Sequence, residues 1–233
     1  MKKTLNLFIS YLLLLCFFTS CNSPDVKWKF KSEGQITGDP VVADETVFFG
    51  DVKIAQYQAQ YGHLYALDAN TGEEKWKFKA GGEVSEPLVA DGTVYFGSGD
   101  SYLYAVDHNT GKEKWKFKTG GVFATPVVTD KIVFFGSSDD YFYAADVNTG
   151  EEKWKFKTEE GSIRYHIVAD GTVYFGSRHH LYALDSKTGN EKWSFRDGDN
   201  WIGNKPAIYQ KTLFFDLHDN RAENNFIYAL NTN

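Results

Sequence analysis

Apolar and polar positions alternate with period two along most of the chain, a strand pattern rather than a helical one. The clearest block is Ala66 to Lys79: an apolar run reaching Asp68, a polar Asn70-Thr71-Gly72 turn, then Trp76 and Phe78 alternating with Lys75, Lys77 and Lys79. This predicts a β-hairpin. The block returns as Ala105 to Lys118, Ala144 to Lys157 and Ala183 to Arg196, so Trp76, Trp115, Trp154 and Trp193 are spaced at 39 residues. A fixed period of this length predicts stacked or radial repeats.

The full repeat holds more than the hairpin. A short apolar strand recurs at Val41-Val42, Leu88-Val89, Val127-Val128, Ile167-Val168 and Ala207-Ile208, preceded by proline in four of the five copies. A tight turn follows, Asp91-Gly92 being the clearest, then a second strand beginning at Thr46, Thr93, Ile132, Thr172 or Thr212. The third strand begins at Leu64, Leu103, Phe142, Leu181 or Ile227, and a tryptophan strand follows the first four of these. A lone copy of that strand, Lys27 to Phe30 with Trp28, stands ahead of all the rest. The count predicts an all-β, five-bladed β-propeller of four-stranded antiparallel blades, its ring closed by the N-terminal strand joining the C-terminal blade. An open solenoid would leave sheet edges unprotected. The strands are apolar on both faces, as sheets sandwiched between neighbours require. The alternating lysines of the outermost strand discourage edge-to-edge pairing.

The first residues change the picture of location. Lys2 and Lys3 precede an apolar run from Leu5 to Phe18, then Thr19-Ser20-Cys21. That is the layout of an export signal, and the run is shorter than the ~20 residues of a membrane span. Ser20-Cys21 resembles a lipobox, so residues 1–20 are expected to be a lipoprotein signal peptide, Cys21 the lipidated residue, 21–25 a linker and 26–233 one propeller domain. Loss of Cys16 with the signal leaves no internal disulfide to form. With 31 acidic and 25 basic side chains the chain is not expected to bind nucleic acid.

The spacing Ala66, Asp68, Thr71, Gly72, Trp76 and its three later copies resembles the tryptophan-docking motif of the PQQ-like propeller repeat family. In this motif Gly72 supplies a positive φ, Asp68 accepts hydrogen bonds from turn amides and Trp76 fills space between sheets. Trp28, Trp115, Trp154 and Trp193 are expected to do the same. The family includes quinoprotein dehydrogenases, in which an eight-bladed ring holds the quinone PQQ with calcium, and non-catalytic BamB-type lipoproteins of outer-membrane assembly. The enzymes carry adjacent cysteines beside the quinone, and this chain has no Cys-Cys pair. The resemblance therefore implies a non-catalytic scaffold with an envelope protein partner, anchored through its lipid, at the outer membrane. A small-ligand or carbohydrate-binding propeller and a PQQ-dependent oxidoreductase are the alternatives, and no cofactor is expected on the first two readings.

Site chemistry is sparse. Asp68 to Glu74 places glycine one position early for an EF-hand loop, and turn chemistry accounts for it without an ion. Phosphate-loop, GxSxG and HExxH signals are missing. No metal site is expected, although His63, His179, His180 and His218 fall near loops opening on one face. Departures from the repeat are the better guide, because irregular loops carry specificity on regular scaffolds. They are the insertions between Gly50 and Leu64 and between Asp216 and Ile227, and the divergent entries to the last two repeats. These select Tyr57, Tyr61, His63, Arg164, Tyr165, His166, His179, His180, Trp201, Asn204, Lys205, His218 and Arg221 as the expected binding residues, the two insertions lying side by side once the ring closes.

Overall fold

The computed structural model describes residues 25–122, 124–159, 161, 163, 165–218 and 225–232. The expected signal peptide, Cys21, Arg164 and Arg221 lie outside the described residues. Among the described residues, twenty strands form five antiparallel sheets of four strands each. The first sheet holds β1 (Gln35–Ala43), β2 (Thr46–Ala55), β3 (Gln58–Asp68) and β4 (Glu74–Ala80) in sequence order. The next three repeat that order: β5 (Leu88–Ala90), β6 (Thr93–Ser98), β7 (Tyr102–Asp107) and β8 (Glu113–Lys118); β9 (Val127–Thr129), β10 (Ile132–Gly136), β11 (Tyr141–Asp146) and β12 (Glu152–Lys157); β13 (His166–Ala169), β14 (Thr172–Ser177), β15 (His180–Asp185) and β16 (Glu191–Arg196). In the fifth, β17 (Trp201–Ile202) and β18 (Ala207–Tyr209) pair with one side of β19 (Thr212–His218), and β20 (Asn225–Asn231) pairs with the other.

Local chemistry sets these hairpins. Each first-to-second-strand turn has two residues at positive φ: Asp44-Glu45, Asp91-Gly92, Asp130-Lys131, Asp170-Gly171 and Gln210-Lys211. That is the type I′ form whose twist matches the flanking strands. The third-to-fourth-strand turn is held by its aspartate, Asp68 Oδ1 accepting from the amides of Asn70 at 2.8 Å and Thr71 at 2.9 Å. Those amides hold the Asp68 carboxyl below its ordinary range, and Asp107, Asp146 and Asp185 are lowered by equivalent turn contacts and nearby lysines.

The core lies between sheets rather than within one. Phe48, Leu64 and Ala66 pack on Val94, Phe96 and Tyr104; the same register recurs at the next three junctions. At the first three junctions a tryptophan locks the contact by donating its indole N–H to the turn of the following sheet. Trp76 reaches His108 O at 3.0 Å, Trp115 reaches Val147 O at 2.9 Å and Trp154 reaches Ser186 O at 3.1 Å. The glycine of each such turn lies under the indole, so a Cβ at Gly111 would come within 2.6 Å of Trp76.

The structure departs from expectation at two places. Residues 27–30 form no ladder with β20. Trp28 instead docks on the first sheet, donating to Ala69 O at 3.0 Å, and Phe30 packs on Phe49 and Tyr65. The apolar ring contacts on that sheet hold the segment, while among the described strands β20 pairs with β19. The first insertion is also no loop. β2 and β3 continue through it, pairing Lys53↔Tyr61 and, after a one-residue register shift, Ile54↔Ala59 and Ala55↔Gln58. Gln56 and Tyr57 both take positive φ, making another two-residue turn that lets the alternating flanks pair.

Candidate functional site

The inner segments of all five sheets meet around one cavity of about 780 Å³, lined by Thr37 and Gly38, Glu83, Ser85 and Glu86, Ala124 and Thr125, Tyr165 and His166, and Lys205. Its two sides differ in charge: Glu83 and Glu86 come from the second sheet's entry, and Lys205 from the fifth's. Glu86 is positioned by Thr125, whose hydroxyl donates to it at 3.1 Å. His166 is buried, with Nε2 3.1 Å from Phe134 O. Burial pushes its pKa down to about 4 and the charge of Lys205 adds to this, against the opposing Phe134 carbonyl, so the imidazole is neutral at pH 7.

A second cavity of about 410 Å³ opens between the fourth and fifth sheets, and Tyr165 belongs to both. Gly161, Gly176, Arg178, Trp201, Ile202, Gly203 and Asn204 complete its lining. Arg178 lies over the Trp201 ring, 5.9 Å from its centre. Such a pair combines a flat apolar face with guanidinium charge. Asn204 is fixed from behind: its backbone N–H donates to Asp216 Oδ1 at 2.8 Å and its side-chain amide to Oδ2 at 2.7 Å. His218 closes the cluster, with Nε2 2.8 Å from Asp216 and Nδ1 2.6 Å from Asn225 Oδ1.

The structure thus brings Tyr165, Trp201 and Asn204 to one cleft, and Tyr165, His166 and Lys205 to the central cavity. It does not bring the first insertion to them. Tyr57 sits fully exposed at its hairpin tip. Tyr61 lies under Lys79 Nζ, 4.0 Å from its ring centre, and edge-on to His63. His63 is buried beside Asp51, whose carboxylate accepts from the His63 and Gly34 amides and the Tyr65 hydroxyl. Burial and the Asp51 charge push that hydroxyl up to about 12. His179 Nδ1 lies 3.1 Å from Asn200 O, and His180 stacks on Tyr182 near Glu159. These histidines brace strands and loops, and no group of three His, Cys, Asp or Glu that could hold a metal exists among the described residues.

Arg178 and the glutamates were not selected from the sequence. Arg178 had a signal: its loop carries Asp100 and Asp139 in the second and third sheets, where each carboxylate holds a glycine amide and a tyrosine hydroxyl. Glu83 and Glu86 had none, because only the ring arrangement turns those entry segments toward a shared centre.

Five four-stranded sheets around a common cavity, locked by tryptophan-to-turn docking, define a PQQ-like β-propeller. The chain belongs to the family described as outer membrane protein assembly factor BamB, which matches residues 22–122 and 118–195. Among solved structures it is similar to BamB from Moraxella catarrhalis, at 21% identity and a TM-score of 0.67, over 88% of this chain and 61% of that one. It is also similar to a europium-containing methanol dehydrogenase, at 19% identity and a TM-score of 0.70, over 89% of this chain and 51% of that one. A serine/threonine-protein kinase, AfsK from Streptomyces griseus, is 35% identical over 82 residues, which is 34% of this chain and 10% of the kinase. The chain spans about a tenth of that curated relative and less than two thirds of each of these solved neighbours.

Proposed function

We propose that this protein is a non-catalytic lipoprotein of the cell envelope, anchored at the outer membrane through Cys21 after removal of residues 1–20, with residues 26–233 serving as a protein-interaction scaffold. The observation that carries this reading is where the aromatic surface lies. Aromatic side chains of the repeated strands are mostly packed at the junctions, whereas Tyr57, Tyr165 and Trp201, all in irregular segments, are 103%, 44% and 46% exposed. Tyrosine, tryptophan and arginine are the side chains on which protein interfaces concentrate their affinity. Membership of the BamB family supports the same reading. Among the described residues the two glutamates of the central cavity gather no group of three His, Cys, Asp or Glu that could hold a metal. Capture of an envelope partner from detergent-solubilised membranes tests the scaffold reading. Tyr165→Ala with Trp201→Ala should abolish capture, and Lys77→Glu with Lys116→Glu and Lys155→Glu should leave it intact; the reverse pattern defeats the assignment.

The cleft of about 410 Å³ beside Trp201 favours a second reading, a small ring-shaped ligand such as a sugar stacked on the indole. Titration with oligosaccharides, followed by tryptophan fluorescence, separates the two.

A further inference from the structure

The central cavity is edged from one repeated place in the sheets. The inner strands are equated by their ladders, Val41, Leu88, Val127, Ile167 and Ala207 each pairing with the third residue of the following strand. Two residues ahead of them stand Asp39, Glu86, Thr125, Tyr165 and Lys205. The last four line the cavity, and in the first sheet a register shift between Thr37 and Val41 presents Thr37 and Gly38 there instead. The four lining positions hold a carboxylate, a hydroxyl, a phenol and an ammonium, on strands that otherwise repeat one pattern. A regular scaffold that gathers unlike polar groups at a shared concave centre has the layout of a binding site.

Hydrogen-bond accounting gives the lining its polarity. Thr37 donates its hydroxyl to Val84 O at 2.5 Å and Thr125 donates to Glu86 at 3.1 Å, so both have only lone pairs left to offer. Ser85 is turned to the backbone, accepting from the Gly97 amide at 2.9 Å. His166 is 2% exposed, and because its Nε2 lies 3.1 Å from the Phe134 carbonyl, that nitrogen carries the hydrogen of the neutral ring. Nδ1 is then a bare acceptor. It has no donor among the described residues, yet it is not one of the polar atoms sealed in the interior, so it opens on the cavity that His166 lines. Glu83 and Glu86 add two carboxylates, neither with a cationic partner among the described residues. Their segment is fixed from behind, the Gly99 amide donating to Glu83 O and the Ser85 amide to Gly97 O, at 2.9 Å each. On the donor side, the lining side chains supply the Lys205 ammonium and the Tyr165 hydroxyl.

We infer that the central cavity binds a free basic amino acid, arginine or lysine, with its two cationic groups toward Glu83 and Glu86 and its carboxylate toward Lys205. The match is by count: two carboxylates for two cations, one ammonium for one carboxylate, and His166 Nδ1 for a remaining N–H. An anion would meet lone pairs on most of this wall, and a ligand without N–H or O–H groups would leave Nδ1 of the buried histidine unpaired. The volume of about 780 Å³ lies within the range of small-molecule sites. This binding stands whether or not a partner protein is captured at Trp201.

Equilibrium dialysis of the full chain in detergent at pH 7, with labelled arginine, lysine and agmatine, tests this. Agmatine is arginine without its carboxylate. Arginine and lysine should each bind one per chain, and agmatine should bind about tenfold more weakly than arginine. Lys205→Ala, at an exposed site, should bring arginine down to the affinity of agmatine and leave agmatine no weaker than before. Glu86→Gln should weaken all three by about tenfold or more, with an unchanged circular dichroism spectrum. Trp201→Ala should leave arginine binding intact, which keeps this site distinguishable from the cleft. Absence of binding by both amino acids at millimolar concentration overturns the inference. Equal affinity for arginine and agmatine in the unaltered protein overturns it as well, and so does arginine binding that Glu86→Gln and Lys205→Ala leave unchanged.

Discussion

The third sheet and the fifth are variants of one repeat, yet one is sealed on both faces and the other on one. In the third, Phe134, Phe142 and Ala144 are 0% exposed, Trp154 closes the outer edge, and Gly136 lets Ile163 of the next entry lie against the sheet. In the fifth, the corresponding Phe214 and Ile227 face solvent, no tryptophan strand is among the described strands of the sheet, and Asp216 replaces the glycine. The entry strand differs as well. The regular entries carry Pro87 and Pro126, whereas the fourth sheet has His166 and the fifth gains β17 with Trp201 at the cleft. Regular sheets use their apolar positions on one another, and the irregular ones have apolar and charged groups left over for something outside.

The strongest way to break this contrast is to truncate a tryptophan on each side of it. Trp115→Ala empties a site 8% exposed between two sheets and should cost about 3–5 kcal/mol in chemical denaturation. Trp201→Ala should leave stability within about 0.5 kcal/mol while removing partner capture. Equal losses from both would show that the cleft is structural.

His166 offers the next largest effect, read through pH. Its folded pKa of about 4 lies below the ordinary 6.5, so the unfolded chain binds the extra proton between those values. Stability from this group is complete above pH 6.5 and is lost as pH falls toward 4, by roughly 3 kcal/mol in all. Urea unfolding at pH 7 and pH 4.5 should show the slope, and His166→Gln should flatten it. The four turn aspartates, lowered from 3.8, act in the same sense at more acid pH, so a slope confined to below pH 4 would assign the effect to them instead.

Gly97→Ala sharpens the junction argument, because its Cβ would lie 2.1 Å from Val122 O. The loss should be about 1–3 kcal/mol or more in chemical denaturation, and an unchanged stability would show that the neighbouring entry segment can move away. The smallest effect expected is at the turns. Lys131 has φ 62° where two other sheets use glycine, so Lys131→Gly should raise the thermal midpoint through a gain of about 0.5–1 kcal/mol. A fall would mean that the lysine side chain holds the turn.

What could be read from residues alone follows from how local the cause is. Strand period, the Asp-Asn-Thr-Gly turn and the 39-residue spacing act within a few positions of themselves, so they gave the sheets, their strand order and the tryptophan junctions. The departures from the repeat led to Tyr165, Trp201, Asn204 and Lys205, since an irregular entry is visible as a broken pattern. The character of an insertion was less legible: 51–63 looked like loop, but Val52 and Ile54 keep the alternation and Gln56-Tyr57 can turn, so it is ladder. The residues shared between sheets were hidden. Glu83 and Glu86 reach their cavity only through the placement of whole sheets, and nothing in their immediate neighbours marks them.

The sequence by itself determined the repeat, because each hairpin is specified by its own alternation and turn residues. Only the tertiary structure decided which faces meet. Whether residues 27–30 pair with β20 or rest on the first sheet depends on the angle accumulated over every junction, which no single repeat encodes. The same accumulated geometry sets the cleft at Trp201 apart from the hairpin tip at Tyr57, though both are irregular in sequence, and leaves Ile227 in solvent while its counterpart Leu181 is buried.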